Sequence, residues 1–161
     1  MNTENKVQKI VVLGGSFSPP TIAHLEVLQA AMDAIQADSG IFVPAPYRYV
    51  KRKLKKTGYT QEALPDDLRL EMLETMCRKD GRLSIDDCEM YRTERGFTYE
   101  TLITIQEKHR QSQIYFVAGS DKLHVIPRWH RIGEFVERFR FLVTKRDGET
   151  PEQLLEEHPF L

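Results

Sequence analysis

A chain of 161 residues with 40% apolar and 29% charged side chains has the length and composition of one soluble globular domain. Lys and Arg number 23 against 24 Asp and Glu, a formal charge of -1, so no global field recruits nucleic acid or an anionic membrane. No apolar run approaches the ~20 residues of a membrane span, the polar start MNTENK is no signal peptide, and Cys77 and Cys88 fall in no metal-ligand spacing and read as reduced thiols of the cytoplasm.

The first element is Lys9–Gly14, a continuous β-branched run of the kind that makes a strand buried on both faces. Leu25, Leu28, Ala31, Met32 and Ile35 then recur at the 3.6-residue period and predict a helix over Thr21–Ala37. Gly40–Val43 is a second short strand, cut off by Pro44 and Pro46, and Pro44–Leu64 reads as one long irregular loop. Pro65-Asp66-Asp67 opens a second helix with acids in its first turn and an apolar stripe of Leu68, Met72, Leu73 and Met76. Arg82–Ile85 fits a third strand, a helix starts near Thr98 and runs through Leu102, Ile105 and Gln106, and Ile114–Ala118 is the fourth strand. Ile132–Phe139 reads as helix, Phe141–Thr144 as a fifth strand and Pro151–His158 as a last short helix. Strands alternating with helices predict an α/β fold: a Rossmann-like, doubly wound parallel sheet of about five strands with helices on both faces. Right-handed crossovers then gather the loops after each strand at one edge, where ligands bind.

The segment between the first strand and first helix, Gly14-Gly15-Ser16-Phe17-Ser18-Pro19-Pro20-Thr21-Ile22-Ala23-His24-Leu25, is the sharpest chemical signal. Two glycines let backbone approach a ligand, Ser16 and Ser18 add hydroxyls, and Thr21 suits the N-cap or first position of the helix. The helix start is an anion site, and His24, about one turn in, leans back toward it. The spacing matches neither G-x-G-x-x-G nor G-x-x-x-x-G-K-[ST], which removes the redox-dinucleotide and P-loop readings. His109, His124, His130 and His158 form no metal-ligand spacing.

This string resembles the nucleotidyltransferase superfamily whose members carry G-x-F-x-P-x-[HT]-x-x-H at this place. FVPAPYRYVKRK resembles the family's second strand and following basic loop, and DDLRLEMLETM the helix with an R-L-x-M-L signature. IDDCEMYRTERGFTYETL resembles D-x-E-x-x-R…S-Y-T-x-x-T-L, and FVAGSDKLHVIPRWH resembles G-x-D-x-L…W, so that the matches run in order over about residues 9–147. Within the superfamily, the Tyr-Glu-Thr-Leu stretch and the Asp-to-Trp segment look like nicotinate or nicotinamide mononucleotide adenylyltransferases.

The resemblance implies that a pyridine mononucleotide attacks the α-phosphorus of ATP, with Mg²⁺, giving a dinucleotide and pyrophosphate. It implies that Thr21 and His24 hold the ATP phosphates, that Gly14, Gly15, Ser16 and Phe17 line the phosphate turn, and that a basic loop closes on the triphosphate. Within Lys51, Arg52, Lys53, Lys55 and Lys56, it singles out Lys51 and Lys53. Trp129, the only tryptophan, offers a flat face for a pyridine ring. Thr98 and Tyr99 open a helix whose N–H groups suit the ring's carboxylate or carboxamide, and Gly119 and Asp121 end a strand where a carboxylate meets ribose hydroxyls.

Two departures stand out. Thr21-Ile22-Ala23-His24 replaces the common H-x-G-H, and the family's I-S-[ST]-T-x-x-R string has no counterpart before Leu161. The sequence therefore predicts a single nucleotidyltransferase domain over residues 1–161 that lacks the family's C-terminal segment. Its partners are ATP and a pyridine mononucleotide, with no nucleic acid and no membrane; a homo-oligomer fits equally well, and the implied location is the cytoplasm. Alternatives are the same chemistry on another acceptor such as phosphopantetheine, a cytidylyltransferase, and a nucleotide-binding domain without catalysis. No side chain in the sequence separates nicotinate from nicotinamide.

Overall fold

The computed structural model describes residues 6–58, 60–94, 96–145 and 150–161. Five strands, β1 (Gln8–Gly15), β2 (Ser39–Pro44), β3 (Leu83–Ile85), β4 (Ser112–Gly119) and β5 (Arg140–Thr144), form one sheet in the order β3-β2-β1-β4-β5, and every pairing is parallel. The helices are α1 (Ile22–Ile35), α2 (Tyr47–Lys56), α3 (Asp66–Cys77), α4 (Thr98–Lys108), α5 (Ile132–Arg138) and α6 (Pro151–Glu157), and a 3-10 segment spans Ser120–Arg128. Among the described residues no helix is long and apolar enough to cross a membrane.

The central strand alternates between two cores, as a period of two dictates. Val11 packs with Leu25, Leu28 and Met32 of α1 and Leu73 of α3 on one face. Ile10 and Val12 pack with Tyr99, Leu102 and Ile105 of α4 and Phe135 of α5 on the other. Glycine is required at Gly40 by close approach: a Cβ there would stand 2.5 Å from Met32 Sδ and 3.1 Å from Leu28 Cγ, so α1 lies directly on β2.

The doubly wound sheet is the one predicted, but three details differ. Residues 47–56 are helical instead of belonging to an irregular loop. Pro46, extended at φ -66° and ψ 149°, caps the helix by accepting from the N–H groups of Tyr49 and Val50, and Val50 is anchored in the interior at 1% exposure. Lysine and arginine are good helix formers, so their abundance does not oppose the helix. In α3, Leu68 is 40% exposed and the inward position of the first turn belongs to Arg69, fully buried in line with Leu73 and Met76. The 3-10 segment after β4 has no counterpart in the sequence reading; with Pro127 inside it, no continuous α-helical ladder forms there.

Asp86, just past β3, ties the sheet edge to α4. Its carboxylate accepts from the Cys88 N–H at 3.0 Å and from Lys108 Nζ at 2.8 Å, and the side chain is 8% exposed. Burial pushes this carboxyl up, yet the Lys108 ammonium and the Cys88 N–H outweigh it and its pKa is lowered. A carboxyl with a depressed folded pKa contributes stability above its unfolded value and loses it as pH falls through the folded one. Asp86→Asn is therefore expected to cost about 1–3 kcal/mol at pH 7. In urea unfolding against pH, the gap to wild type closes as pH drops below about 3.9, the ordinary carboxylate value.

Candidate active site

The strand order places β2 on one side of β1 and β4 on the other, and the loops leaving the carboxyl ends of β1 and β4 part at the point where such sheets bind ligands. The turn after β1 is shaped by Phe17. Its φ of 45° lies in the left-handed region, its ring is 1% exposed, and it meets Phe42 and His24 edge-on at 5.5 and 5.0 Å. A Cβ at Gly15 would stand 3.0 Å from the Phe17 ring and crowd it. Phe17 thus has its side chain in the core, and its left-handed backbone shapes the turn.

Thr21 is the N-cap of α1, and its backbone N–H donates to His24 Nδ1 at 2.9 Å, with its hydroxyl 3.1 Å from the same nitrogen. An N–H has only a proton to offer, so Nδ1 accepts, and in the neutral ring the proton sits on Nε2. The cap therefore fixes both the rotamer and the tautomer of the histidine. Across the crevice, Gly119 ends β4 and Asp121 is the second residue of the 3-10 segment. Ser16 Oγ and Asp121 Oδ1 are buried with no protein hydrogen-bond partner, one on each loop flanking the switch point. Buried polar atoms left unmatched are rare and costly, and these two point to a polar ligand.

The turn is held from behind. Arg69 donates from Nη1 to the Ser16 carbonyl and from Nη2 to the Ala45 carbonyl, each at 2.7 Å, and pairs with Asp66 one turn earlier on α3. The Ala45 N–H donates to the Gly15 carbonyl at 2.9 Å, and the Leu64 N–H to Ser18 Oγ at 2.8 Å.

Lys51 and Lys53 are exposed on α2, and a separation of two residues puts them on opposite flanks of that helix. Arg48 fastens the helix to the loop before α4: its guanidinium donates to the carbonyls of Arg92 at 2.9 Å, Glu94 at 2.6 Å and Thr93.

Thr98 and Tyr99 are the first residues of α4, whose leading N–H groups have no acceptor within the helix. The Tyr99 ring is buried beneath the Arg131 guanidinium, 4.7 Å from its centroid, and its hydroxyl donates to Glu134 at 3.3 Å. Trp129 is half-buried and meets Phe116, Phe135 and Phe141 edge-on at 5.8–5.9 Å, so the core holds much of its ring. Its neighbour His130 stacks on Phe97 at 4.3 Å and lies 3.1 Å from Glu100. Cys77 and Cys88 are free, half-buried thiols, and burial pushes them up to about 11 and about 12, so neither is a thiolate nucleophile. Among the described residues no group of three or more His, Cys, Asp or Glu could hold a metal ion.

A cytidylyltransferase-like family model matches residues 12–159. The chain belongs to that family. A Geobacillus thermodenitrificans protein named "Probable nicotinate-nucleotide adenylyltransferase" is 30% identical over 151 residues, 92% of this chain and 67% of that protein. A Clostridium botulinum protein of the same name is 34% identical over 137 residues, 85% of this chain and 65% of that one. The chain thus spans about two thirds of the length of the curated relatives it matches. Plasmodium falciparum nicotinic acid mononucleotide adenylyltransferase, solved with NaAD, superposes with a TM-score of 0.73 at 23% identity, over 94% of this chain and 72% of that one; this likeness is one of fold.

In this cytidylyltransferase-like chain two arginines have roles that the sequence does not assign: Arg48, and Arg69 of the R-L-x-M-L match. Each sits in a segment that the motifs single out, but neither spacing nor periodicity reveals a guanidinium that serves the backbone of distant loops. The Arg48 contacts make a direct expectation. Arg48→Ala is expected to speed amide exchange across residues 47–56 by about tenfold or more, the size of a lost charged hydrogen bond, and to leave β1 and β4 protected. Hydrogen exchange with mass spectrometry checks it; equal exchange in both proteins would contradict it.

Proposed function

We propose that this chain transfers the adenylyl group of ATP to nicotinate mononucleotide. The observation that carries the reading is the pair of buried, unpartnered oxygens, Ser16 Oγ and Asp121 Oδ1, on the two loops that flank the β1/β4 switch point. A nucleotide lying across that crevice gives Ser16 a phosphate oxygen and Asp121 a ribose hydroxyl. The choice of acceptor rests on the names of the relatives.

In the reaction, an oxygen of the mononucleotide 5′-phosphate bonds to the α-phosphorus of ATP. The bond from that phosphorus to the bridging oxygen breaks, and pyrophosphate leaves. The attacking group is already anionic, so no covalent nucleophile is needed and catalysis consists of alignment and charge neutralisation. His24, held by Thr21 as the Nε2–H tautomer, is the donor to a phosphate oxygen as charge shifts toward the leaving group. The N-terminus of α1 and the backbone of Gly14–Phe17 supply further N–H groups. One flank of α2 faces the triphosphate, with Lys51 or Lys53 as its point charge. At the other end, the leading N–H groups of α4 at Thr98 and Tyr99 read the nicotinate carboxylate, and the open part of Trp129 covers the ring. Mg²⁺ enters as Mg·ATP, since this cation keeps several waters and is bound largely through substrate phosphates. A protein acting on ATP in this way belongs in the cytoplasm.

Pyrophosphate release from Mg·ATP with nicotinate mononucleotide tests the reading, with nicotinamide mononucleotide run in parallel. The expected result is release with kcat/KM at least about tenfold higher for nicotinate, equivalent to about 1.4 kcal/mol of transition-state discrimination. His24→Ala is expected to lower kcat by about 10²–10³, the loss seen when one positioned donor to a developing oxyanion is removed. Binding of ATP without release from either acceptor would leave a nucleotide-binding domain and overturn the enzymatic reading.

A further inference from the structure

Among the described residues Arg69 is the one buried cation that contacts the phosphate turn, and its position is peculiar for a charge. It lies on the inward face of α3 at 0% exposure. Its acceptors belong to three separate pieces of chain: the Ser16 carbonyl in the turn after β1, the Ala45 carbonyl in the turn after β2, and the Asp66 carboxylate at the start of α3. Its Nε has no partner.

The geometry of the two carbonyl bonds has a consequence for each loop. The Ser16 carbonyl turned toward Arg69 fixes the peptide plane between Ser16 and Phe17, and with it the Phe17 N–H, which lies in that plane and points the opposite way. Ser16 Oγ, the unpartnered buried oxygen, hangs from the same residue. Ala45 precedes Pro46, the cap of α2, so the second bond sets where the basic helix starts. One rigid, planar fork therefore joins the phosphate turn to the start of the helix carrying Lys51 and Lys53, beside the backbone bond from the Ala45 N–H to the Gly15 carbonyl. A lysine at this site, a single point charge on a flexible stem, lacks the fork that holds two carbonyls in fixed relation.

We propose that Arg69 is a positioning residue for the triphosphate half of the site: it registers the Ser16 turn against α2, and removing the fork weakens handling of ATP while leaving handling of the mononucleotide nearly unchanged. The inference rests on the functional reading given above. It makes a directional claim, because Thr98, Tyr99 and Trp129 lie on segments that Arg69 does not touch.

The test compares wild type, Arg69→Lys, Asp66→Asn and Leu154→Ala, the last a control that loses core contacts around α6 away from the turn. KM for Mg·ATP, KM for the mononucleotide and kcat are measured at a temperature where circular dichroism shows every variant folded. Arg69→Lys is expected to lose about 10- to 100-fold in kcat/KM for Mg·ATP, since a misplacement of about 1 Å near the reacting groups costs about 10²-fold. Its KM for the mononucleotide should stay within about twofold of wild type, the scatter expected for a pocket whose contacts are intact. Asp66→Asn keeps the guanidinium but frees one of its three anchors, and should move the ATP constant in the same direction by less. Leu154→Ala should lower the melting temperature with the ATP constant unchanged. Equal losses for both substrates in Arg69→Lys, or a loss that Leu154→Ala matches, would make Arg69 merely structural and overturn the proposal. If Arg69→Lys does not fold, Asp66→Asn decides alone: an ATP constant equal to wild type overturns the proposal. A wild-type chain that releases no pyrophosphate sinks the functional reading by itself. Calorimetric titration with ATP then reads Arg69, a weaker dissociation constant in Arg69→Lys supporting it and an unchanged one, or no binding in wild type, overturning it.

Discussion

Both faces of β1 are buried at once, and the rest of the architecture follows from satisfying that constraint. Val11 needs a helical layer on one side, and α1 and α3 supply it; Ile10 and Val12 need another, which α4 and α5 supply. A strand covered on two faces and paired on two edges, with β2 and β4, has only its ends open. Its carboxyl end is where the chain crosses to one face through α1 while the loop from β4 departs on the other side, and a gap there is a necessity of the winding. The gap is where the unmatched oxygens of Ser16 and Asp121 are found. Chemistry and fold therefore share one cause, since the same topology that completes the core leaves polar backbone and side chains unmatched at its rim.

What closes the rim is arginine. Loops at the edge of a parallel sheet have no ladder to pair with, and their carbonyls need donors from elsewhere. Arg69 supplies two such donors from inside and Arg48 supplies three contacts from outside. A single planar side chain thus joins three stretches of chain at Arg69 and two at Arg48, as a hydrogen-bond ladder joins two strands. Burial of Arg69 carries a desolvation penalty, offset by the nearby Asp66 carboxylate and by the two short carbonyl bonds. An apolar residue of similar size would avoid that penalty but would leave the carbonyls of Ser16 and Ala45 without these donors.

The contrast between β1 and α2 explains how far the sequence could be read. β1 declares itself because a strand buried on both faces has to be continuously apolar and β-branched, and the Gly-Gly pair at its end declares itself as a place where backbone can approach a ligand. The alternation of apolar bursts with 3.6-residue periods was enough to predict the parallel sheet. α2 has no such period: Val50 is its one fully buried side chain, and a run of cations looks the same in a loop and in a helix. Its conformation is decided by the local Pro46 cap together with Arg48 reaching residues 92–94, more than forty positions away. Arg69 was hidden for the opposite reason. The apolar stripe of α3 was visible, but the rule that charged residues face water assigned the inward place to Leu68, and only convergent acceptors from three segments reverse it. Trp129 stood out as the sole tryptophan, whereas the three phenylalanines that take much of its surface come from β4, α5 and β5 and meet only after folding.

The cations of α2 are expensive to keep together, and that expense bears on what the helix is for. Arg48–Arg52, Lys51–Lys55 and Arg52–Lys56 are like charges at i,i+4, each unfavourable by about 0.2–0.5 kcal/mol in an isolated helix, and no acidic residue in α2 relieves them. The net charge of the chain is -1, so this is a local concentration of charge within a neutral whole. Screening confines its field to about 8–10 Å at physiological salt, which limits its reach to anions already in the crevice or at its mouth. The helix stands because Val50 is buried and Arg48 is spent on backbone carbonyls, and neither anchor uses Lys51, Lys53, Lys55 or Lys56. Since those lysines raise the energy of the unliganded helix and the anchors do not depend on them, a polyanion bound against one flank lowers the repulsion it meets there. Part of the free energy of binding then comes from relief of strain that the fold already carries.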